Sequence, residues 1–325
     1  MRTALIIGGT RNLGPGIAAA LLEAGFRVTV LHRGLTKSAA LPDSVERLLC
    51  DRSDAGALAG ALGSRAFDIV IDTTLYNGAD GEVVGRIFAG RAGRYIMLST
   101  GQVYLVRVGL TRPFTERDYP GPAIPEPSSK FDLDNWSYGI HKRAAEDALV
   151  DAAAFPVTVR RLPMVNSELD HFHRIRNYLA RLRDGGPIFI PDGPHLPLRH
   201  VYGGDVVRAI LRAIEAGIDG RFNVGQDETV TIDDFLSRLA TLAATRLEIV
   251  RRPAQLLWER GLMPACSHFS EPWMSSLDNT LGKAALGLTY IPLDSYLPRL
   301  VRDSDANPST PHGYERRQAE LELRC

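Results

Sequence analysis

In "YGIHK", Tyr138 and Lys142 stand four residues apart, so any helix that carries them presents both on one face. An unperturbed phenol titrates near ~10 and is a poor acid or base at neutral pH. A lysine cation beside it favours phenolate and is expected to lower that value. The pair then exchanges a proton with a substrate hydroxyl or carbonyl, and Lys142 has the reach to hydrogen-bond a ribose. Thr100 ends the apolar run "RYIMLST" (94–100), where its hydroxyl can polarise a carbonyl. A Tyr-x-x-x-Lys spacing alone recurs by chance. The plainer alternative has Tyr138 packing and Thr100 capping a strand, so the weight comes from what surrounds them.

The second chemical feature is "GGTRNLG" (8–14), after the apolar run "TALIIGG" (3–9) and before a helical pattern. Gly8 and Gly9 permit a sharp turn, Gly14 permits close packing of helix on sheet, and Pro15 suits a first helical turn. Thr10, Arg11, Asn12 and Leu13 complete a loop whose helix start offers free N–H groups to a pyrophosphate. Arg11 stands where the usual fingerprint has its middle glycine. A phosphate-loop NTPase is excluded, because Pro15-Gly16 replaces the required Lys and Ser/Thr. A glycine turn without a ligand is the alternative.

The next strand, "RVTVLHR" (27–33), ends without the acid that binds an adenosine ribose. His32 and Arg33 stand where a 2′-phosphate would lie, and Arg11 reaches the same region. A carboxylate there would repel the phosphate, whereas guanidinium groups pair with it. NADP(H) is therefore the expected cofactor and NAD(H) stays open. The competing reading is two solvated surface arginines. Asp51, with Arg52 beside it, follows a third strand and suits the adenine side. Asp72 and Thr73 end a fourth strand near the expected cofactor, where a structural role serves as well.

These residues need a scaffold that gathers strand ends. Strands at 3–9, 27–33, 45–51, 67–73, 94–100 and 157–163 alternate with helices at 14–25, 54–62, 79–90 and 138–153. That rhythm predicts an α/β, doubly wound parallel sheet of Rossmann type, with ligands outside the carboxyl ends of its strands. Residues 1–165 are expected to form the dinucleotide-binding domain, with segments near 195–230 returning to it, including "GRFNVG" (220–225) as a further strand. Residues 166–325 are expected to supply mainly a smaller, interleaved substrate-binding region and a tail. The proline-rich connection 101–137 reads as a functional lid or a disordered loop. "HFHRIRNYLARLR" (171–183) reads as a helix burying Phe172, Ile175, Leu179 and Leu182, with a solvated face of His171, His173, Arg174, Arg176, Arg181 and Arg183. Trp258 reads as core or cleft wall, and the last twenty residues as a mobile or loosely docked tail.

Composition bounds the partners. The 325 residues are 45% apolar and 23% charged, with a formal net charge of zero, so no nucleic-acid partner is expected. Cys50, Cys266 and Cys325 are too scattered for a disulfide framework or zinc site. His171 and His173, two apart, make a poor chelate, and no metal is expected. No signal-peptide core or membrane-length apolar run is present, which places the chain in the cytoplasm without a membrane partner. A small-molecule substrate is expected, and a homodimer is left open.

The loop "GGTRNLG", the strand end "LSTGQVY" and the helix "YGIHKRAAE" together resemble the short-chain dehydrogenase/reductase superfamily, in particular its extended and atypical branches, the NAD-dependent epimerase/dehydratase family. The likeness runs over about residues 3–300 and also takes in "LRHVYGGDVVRAI" and "FNVGQDETVTIDDFL". It implies a catalytic triad of Thr100, Tyr138 and Lys142. It also implies, through "RRLPMV", that Pro163 lies near the nicotinamide. Asn166-Ser167 replace the Gly-Pro pair common in nucleotide-sugar enzymes, which argues against such a substrate. The expected function is an NADP(H)-dependent oxidoreductase moving hydride to or from a carbonyl or secondary alcohol carbon. An NAD(P)-dependent sugar epimerase is the alternative. A third reading is a non-catalytic or RNA-binding member, because the "GGTR" subgroup includes RNA-processing chloroplast proteins.

Overall fold

A computed structural model describes residues 1–36 and 38–324; Cys325 lies outside the described residues. The first half runs β1 Thr3–Ile7, α1 Gly14–Glu23, β2 Arg27–His32, β3 Glu46–Leu49, α2 Ala55–Leu62, β4 Phe67–Asp72, α3 Gly78–Ile87, β5 Ala92–Thr100, α4 Gln102–Leu105, α5 Lys130–Ala152 and β6 Val157–Leu162. The second half runs β7 Val165–Asn166, α6 Arg174–Arg183, β8 Ile188–Pro191, β9 Val201–Tyr202, α7 Gly203–Ala216, β10 Gly220–Asn223, α8 Ile232–Leu242, β11 Ile249–Arg252, α9 Ala254–Glu259, α10 Thr280–Leu286, α11 Leu293–Ala306 and α12 Arg317–Leu321.

Seven strands pair in the order β10-β6-β5-β4-β1-β2-β3, every pair parallel. This is the doubly wound sheet expected from the sequence, with β10 as the returning strand. Apolar runs such as Thr3–Ile7 form its strands because both faces are covered, so every second residue meets a different helical layer. Ala4 and Ile6 join the core under α1 and α7, while Leu5 and Ile7 join the core under α3 and α5. The order reverses between β1 and β4. Ligand crevices of such sheets open at that point, outside the strand ends.

Helix α5, which carries Tyr138 and Lys142, is fixed by a close approach to α3. A Cβ on Gly81 would stand 3.0 Å from the Ala145 carbonyl oxygen, and one on Gly85 would stand 2.5 Å from the Ala152 Cβ. Glycine at both places lets two helices touch backbone to backbone and sets the height of Tyr138 over the sheet. A second core, including Tyr178, Leu179, Ile190, Phe235, Phe269 and Tyr296, gathers α6, α8 and α11 beside the sheet. Two short parallel pairs, β8 with β11 and β7 with β9, accompany it.

Four expectations are corrected. Helix α5 begins at Lys130 rather than near 138, capped by the Ser129 side chain, which accepts from the Asp132 amide at 3.2 Å. The connection 101–137 is therefore not one loop. It contains α4, a 3-10 turn at Glu116–Asp118 and two turns of α5. Helix α6 starts at Arg174, so Phe172 is 51% exposed, and Arg181 is fully buried instead of solvated. Finally, the tail is docked. Arg317 pairs with Asp184 at 2.7 Å and with Glu320 at 2.9 Å, and Glu320 also pairs with Arg181. Such buried charges persist only when mutually paired.

Candidate functional site

A cleft of about 690 Å³ opens at the carboxyl ends of β1, β2, β4 and β5. Its walls bring together Gly8, Thr10, Arg11, Asn12, Leu13, Gly14, His32, Arg33, Asp51, Arg52, Thr73, Thr100, Tyr138, Lys142 and Pro163. Among the glycine-loop residues, Gly9 stays outside the lining, and so does Asp72 at the end of β4. A Cβ on Gly9 would meet the Ile6 and Val30 side chains, so it serves packing on the sheet.

At the loop end, Gly8 adopts φ +85° and Asn12 φ +48°, which bend the chain sharply into α1. A Cβ on Gly14 would overlap the backbone of Gly9, so only glycine closes this turn. No side chain caps α1, and Pro15 removes one amide from its first turn. Among the described residues, the amides of Arg11, Asn12 and Leu13 have no backbone acceptor. Free amides at a helix start fit a dinucleotide pyrophosphate.

Beyond β2 the wall carries cations and no β2 acid. The His32 Nδ1 accepts the Gly34 amide at 3.0 Å, which leaves the proton on Nε2. Burial, with Arg47 adding, lowers the His32 pKa, so the ring is neutral at neutral pH. Its Nε2 is buried without a partner, an uncommitted donor in the cleft wall. Arg33 is exposed, and the Arg11 Nε donates to the Thr36 hydroxyl at 3.1 Å. Asp51 is kept below the usual carboxylate range, first by the Ser53 hydroxyl and amide and then by Arg33 and Arg52.

Arg52 behaves differently from Arg33. It lines the cleft, but its guanidinium faces Asp72 at 3.1 Å, Asp80 at 3.2 Å and the Thr74 carbonyl at 3.0 Å. Asp72 is fully buried and also accepts the Tyr95 hydroxyl at 2.6 Å. The Asp72–Arg52 pair thus holds the wall together. The Thr73 hydroxyl donates to the Ile7 carbonyl at 3.0 Å, joining β4 to β1 beneath the glycine loop.

At the other end lie Thr100, Tyr138 and Lys142. Strand alternation separates Thr100 from Ser99, whose hydroxyl turns inward and donates to Glu146 at 2.5 Å. Lys142 is 2% exposed, and its Nζ donates to the Leu75 and Leu98 carbonyls, both at 2.8 Å. Burial brings its pKa down to about 8, opposed by Asp72 and Glu146. The expected lowering of the Tyr138 phenol by Lys142 is not found. Burial pushes that phenol up, Tyr76 adds to the rise, and the Thr100 hydroxyl opposes it. Tyr138 is therefore a protonated donor at neutral pH, and Lys142 a buried cation whose charge thins just above it.

Sequence reasoning missed Tyr76, Asn77, Asp80 and His171 on the same lining. Tyr76 was findable only as an aromatic just past a strand end. Trp258, half-buried, packs on Phe131 at 4.5 Å between centroids and is absent from this lining. Cys50 and Cys266 are free and buried, and no metal-binding cluster occurs among the described residues. No helix of the described residues is long and apolar enough to cross a membrane.

No family model matches the chain. It is 32% identical over 145 residues to the 2′-dehydrokanamycin reductase of Streptomyces kanamyceticus, a stretch that is 45% of this chain and 37% of that protein. The chain thus matches well under half of that relative's length. Among solved structures it superposes on UDP-glucose 4-epimerase of Thermotoga maritima, determined with UDP-glucose. The TM-score is 0.75 and the identity 20%, over 94% of this chain and 99% of that one. It also superposes on dTDP-glucose 4,6-dehydratase of Bacillus anthracis, determined with NAD. There the TM-score is 0.73 and the identity 16%, over 94% and 97% of the two chains. The chain has the doubly wound Rossmann fold of these epimerase and dehydratase structures, with its own cleft at the same sheet's strand ends.

Proposed function

We propose that this protein is an NADP(H)-dependent oxidoreductase of the short-chain dehydrogenase/reductase type, acting on a carbonyl or secondary alcohol of a small molecule. The observation that carries this reading is the single cleft lined by the glycine loop, Arg33, Thr100, Tyr138 and Lys142. The free loop amides and the unpartnered His32 Nε2 suit a dinucleotide, and Arg33 with Arg11 suits a 2′-phosphate. When bound, the reduced nicotinamide supplies the hydride. Tyr138 donates its phenolic proton to the substrate oxygen, the Thr100 hydroxyl holds that oxygen, and Lys142 fixes the local charge. At neutral pH the phenol carries its proton, the form needed to protonate a substrate oxygen in reduction. The name of the Streptomyces relative, a reductase, agrees with that direction.

The epimerase neighbours sustain a second reading, in which one centre is oxidised and then re-reduced with no net use of cofactor. Turnover of carbonyl substrates with NADPH, followed by absorbance, separates the two. Stoichiometric NADPH loss supports the reductase. Stereochemical inversion without NADPH loss would replace it by the epimerase. The protein is proposed to work without nucleic acid, and a cytoplasmic location and a homodimer belong to the same proposal.

A further inference from the structure

Tyr76 belongs to the loop between β4 and α3, where a polar or small residue would suffice to turn the chain. It is instead a large ring, 49% exposed, on the wall of the cleft. Its centroid lies 6.4 Å from that of Tyr138, with the planes inclined by 53°. The Lys142 Nζ lies 5.2 Å from the centroid of the same ring. The neighbouring Leu75 supplies one of the two carbonyls that bind this ammonium, and Leu98 on β5 supplies the other.

An ammonium carries three donors, and the two carbonyls engage two of them. A buried cation without further compensation loses its proton, so what faces the remaining side of Lys142 decides its charge. An aromatic face within about 6 Å attracts a desolvated cation. We propose that Tyr76 is the positioning residue of the Tyr138–Lys142 pair: its ring face holds the Lys142 ammonium in place beside the proton-donating phenol. The proposal rests on the reading of Tyr138 and Lys142 as the reacting pair, but the placement of the ammonium can be tested without any substrate.

The other groups acting on Lys142 are Asp72 from β4 and Glu146 from α5, which hold its proton, and Arg52 from the segment after β3, which opposes it. Tyr138 shares α5 with it. Asp72, Glu146 and Arg52 keep their identity in every variant at position 76, whereas Tyr138 also loses a ring neighbour when Tyr76 is removed. The chain has four lysines, Lys37, Lys130, Lys142 and Lys283, so carbon-13 labelling at the lysine ε-carbon gives a spectrum simple enough to titrate. Lys142→Arg assigns the signal.

The wild-type Lys142 signal is expected to titrate near pH 8. Tyr76→Phe keeps the ring and is expected to leave that midpoint in place. Tyr76→Leu removes the ring and is expected to lower it by about one pH unit. Tyr76→Gln provides a second ring-free variant should the leucine protein fail to fold. An unchanged midpoint in the ring-free proteins overturns the proposal, as does an equal shift in Tyr76→Phe, which would implicate the hydroxyl. Adding NADPH to the same samples is a separate arm. If the lysine shifts behave as expected but NADPH leaves the Lys142 signal unmoved, the cofactor reading fails while the role of Tyr76 stands.

Discussion

The two ends of the cleft are built on opposite principles. At the Tyr138 end the functional groups are engaged by the fold itself: Lys142 by two carbonyls and an aromatic face, α5 by its glycine-mediated contact with α3. At the Arg33 end they stand free, with an exposed guanidinium, an uncommitted imidazole N–H and open loop amides. Reacting atoms tolerate little misplacement, so their supports are backbone and buried. Recognition of a charged phosphate needs donors with nothing else to bind. Arg52 shows the contrast with Arg33 on the same cleft wall. It lies between the two ends with its charge already engaged by Asp72 and Asp80.

Substitutions at the two ends should therefore fail in different ways. The largest effect is expected from Tyr138→Phe, which removes the proposed proton donor and should lower kcat by ~10²–10⁴-fold. NADPH affinity, measured by fluorescence titration, should stay at the wild-type level; a parallel loss of binding would erase the division between the ends. Thr100→Val removes the hydroxyl proposed to hold the substrate oxygen and should lower kcat by about 10²-fold with the cofactor Kd unchanged. Arg33→Ala should do the reverse, weakening NADPH about tenfold while NADH binding and kcat at saturation hold. The mildest effect is on pH. Because the Lys142 pKa is depressed to about 8, its charge is full below that value and disappears above it. A rate that depends on this charge is expected to be half lost near pH 8 and to keep falling as pH rises. A flat profile to pH 10 would remove Lys142 from the mechanism.

That Thr100, Tyr138 and Lys142 share one cleft was legible in the sequence because the signals are local. A four-residue spacing sets Tyr138 and Lys142 on one face, and a hydroxyl at a strand end sets Thr100. The glycine loop was legible for the same reason: strand, turn and helix are contiguous. What failed depends on partners far along the chain. Arg181 reads as a solvated arginine until Glu320, 139 residues later, is seen to bury with it. The tail looks loose for the same reason, since Arg317 and Glu320 announce no partner. The true start of α5 did leave a mark, Ser129 three residues before Asp132, but five prolines nearby drew the reading toward a loop. The direction of the Tyr138 shift was missed because pairwise spacing says nothing about burial, which is the largest cause of that shift. Tyr76 left no pattern at all, because a single aromatic after a strand is compatible with core, surface or site.

What the open end of the cleft binds tests the proposed cofactor most directly. NADPH and NADH should be titrated against the wild-type protein under identical salt and pH. Tighter binding of NADPH, by about tenfold or more, is the predicted result, since only NADPH offers the phosphate that Arg33, Arg11 and the His32 N–H can engage. Equal or tighter binding of NADH, or no binding of either, would contradict it.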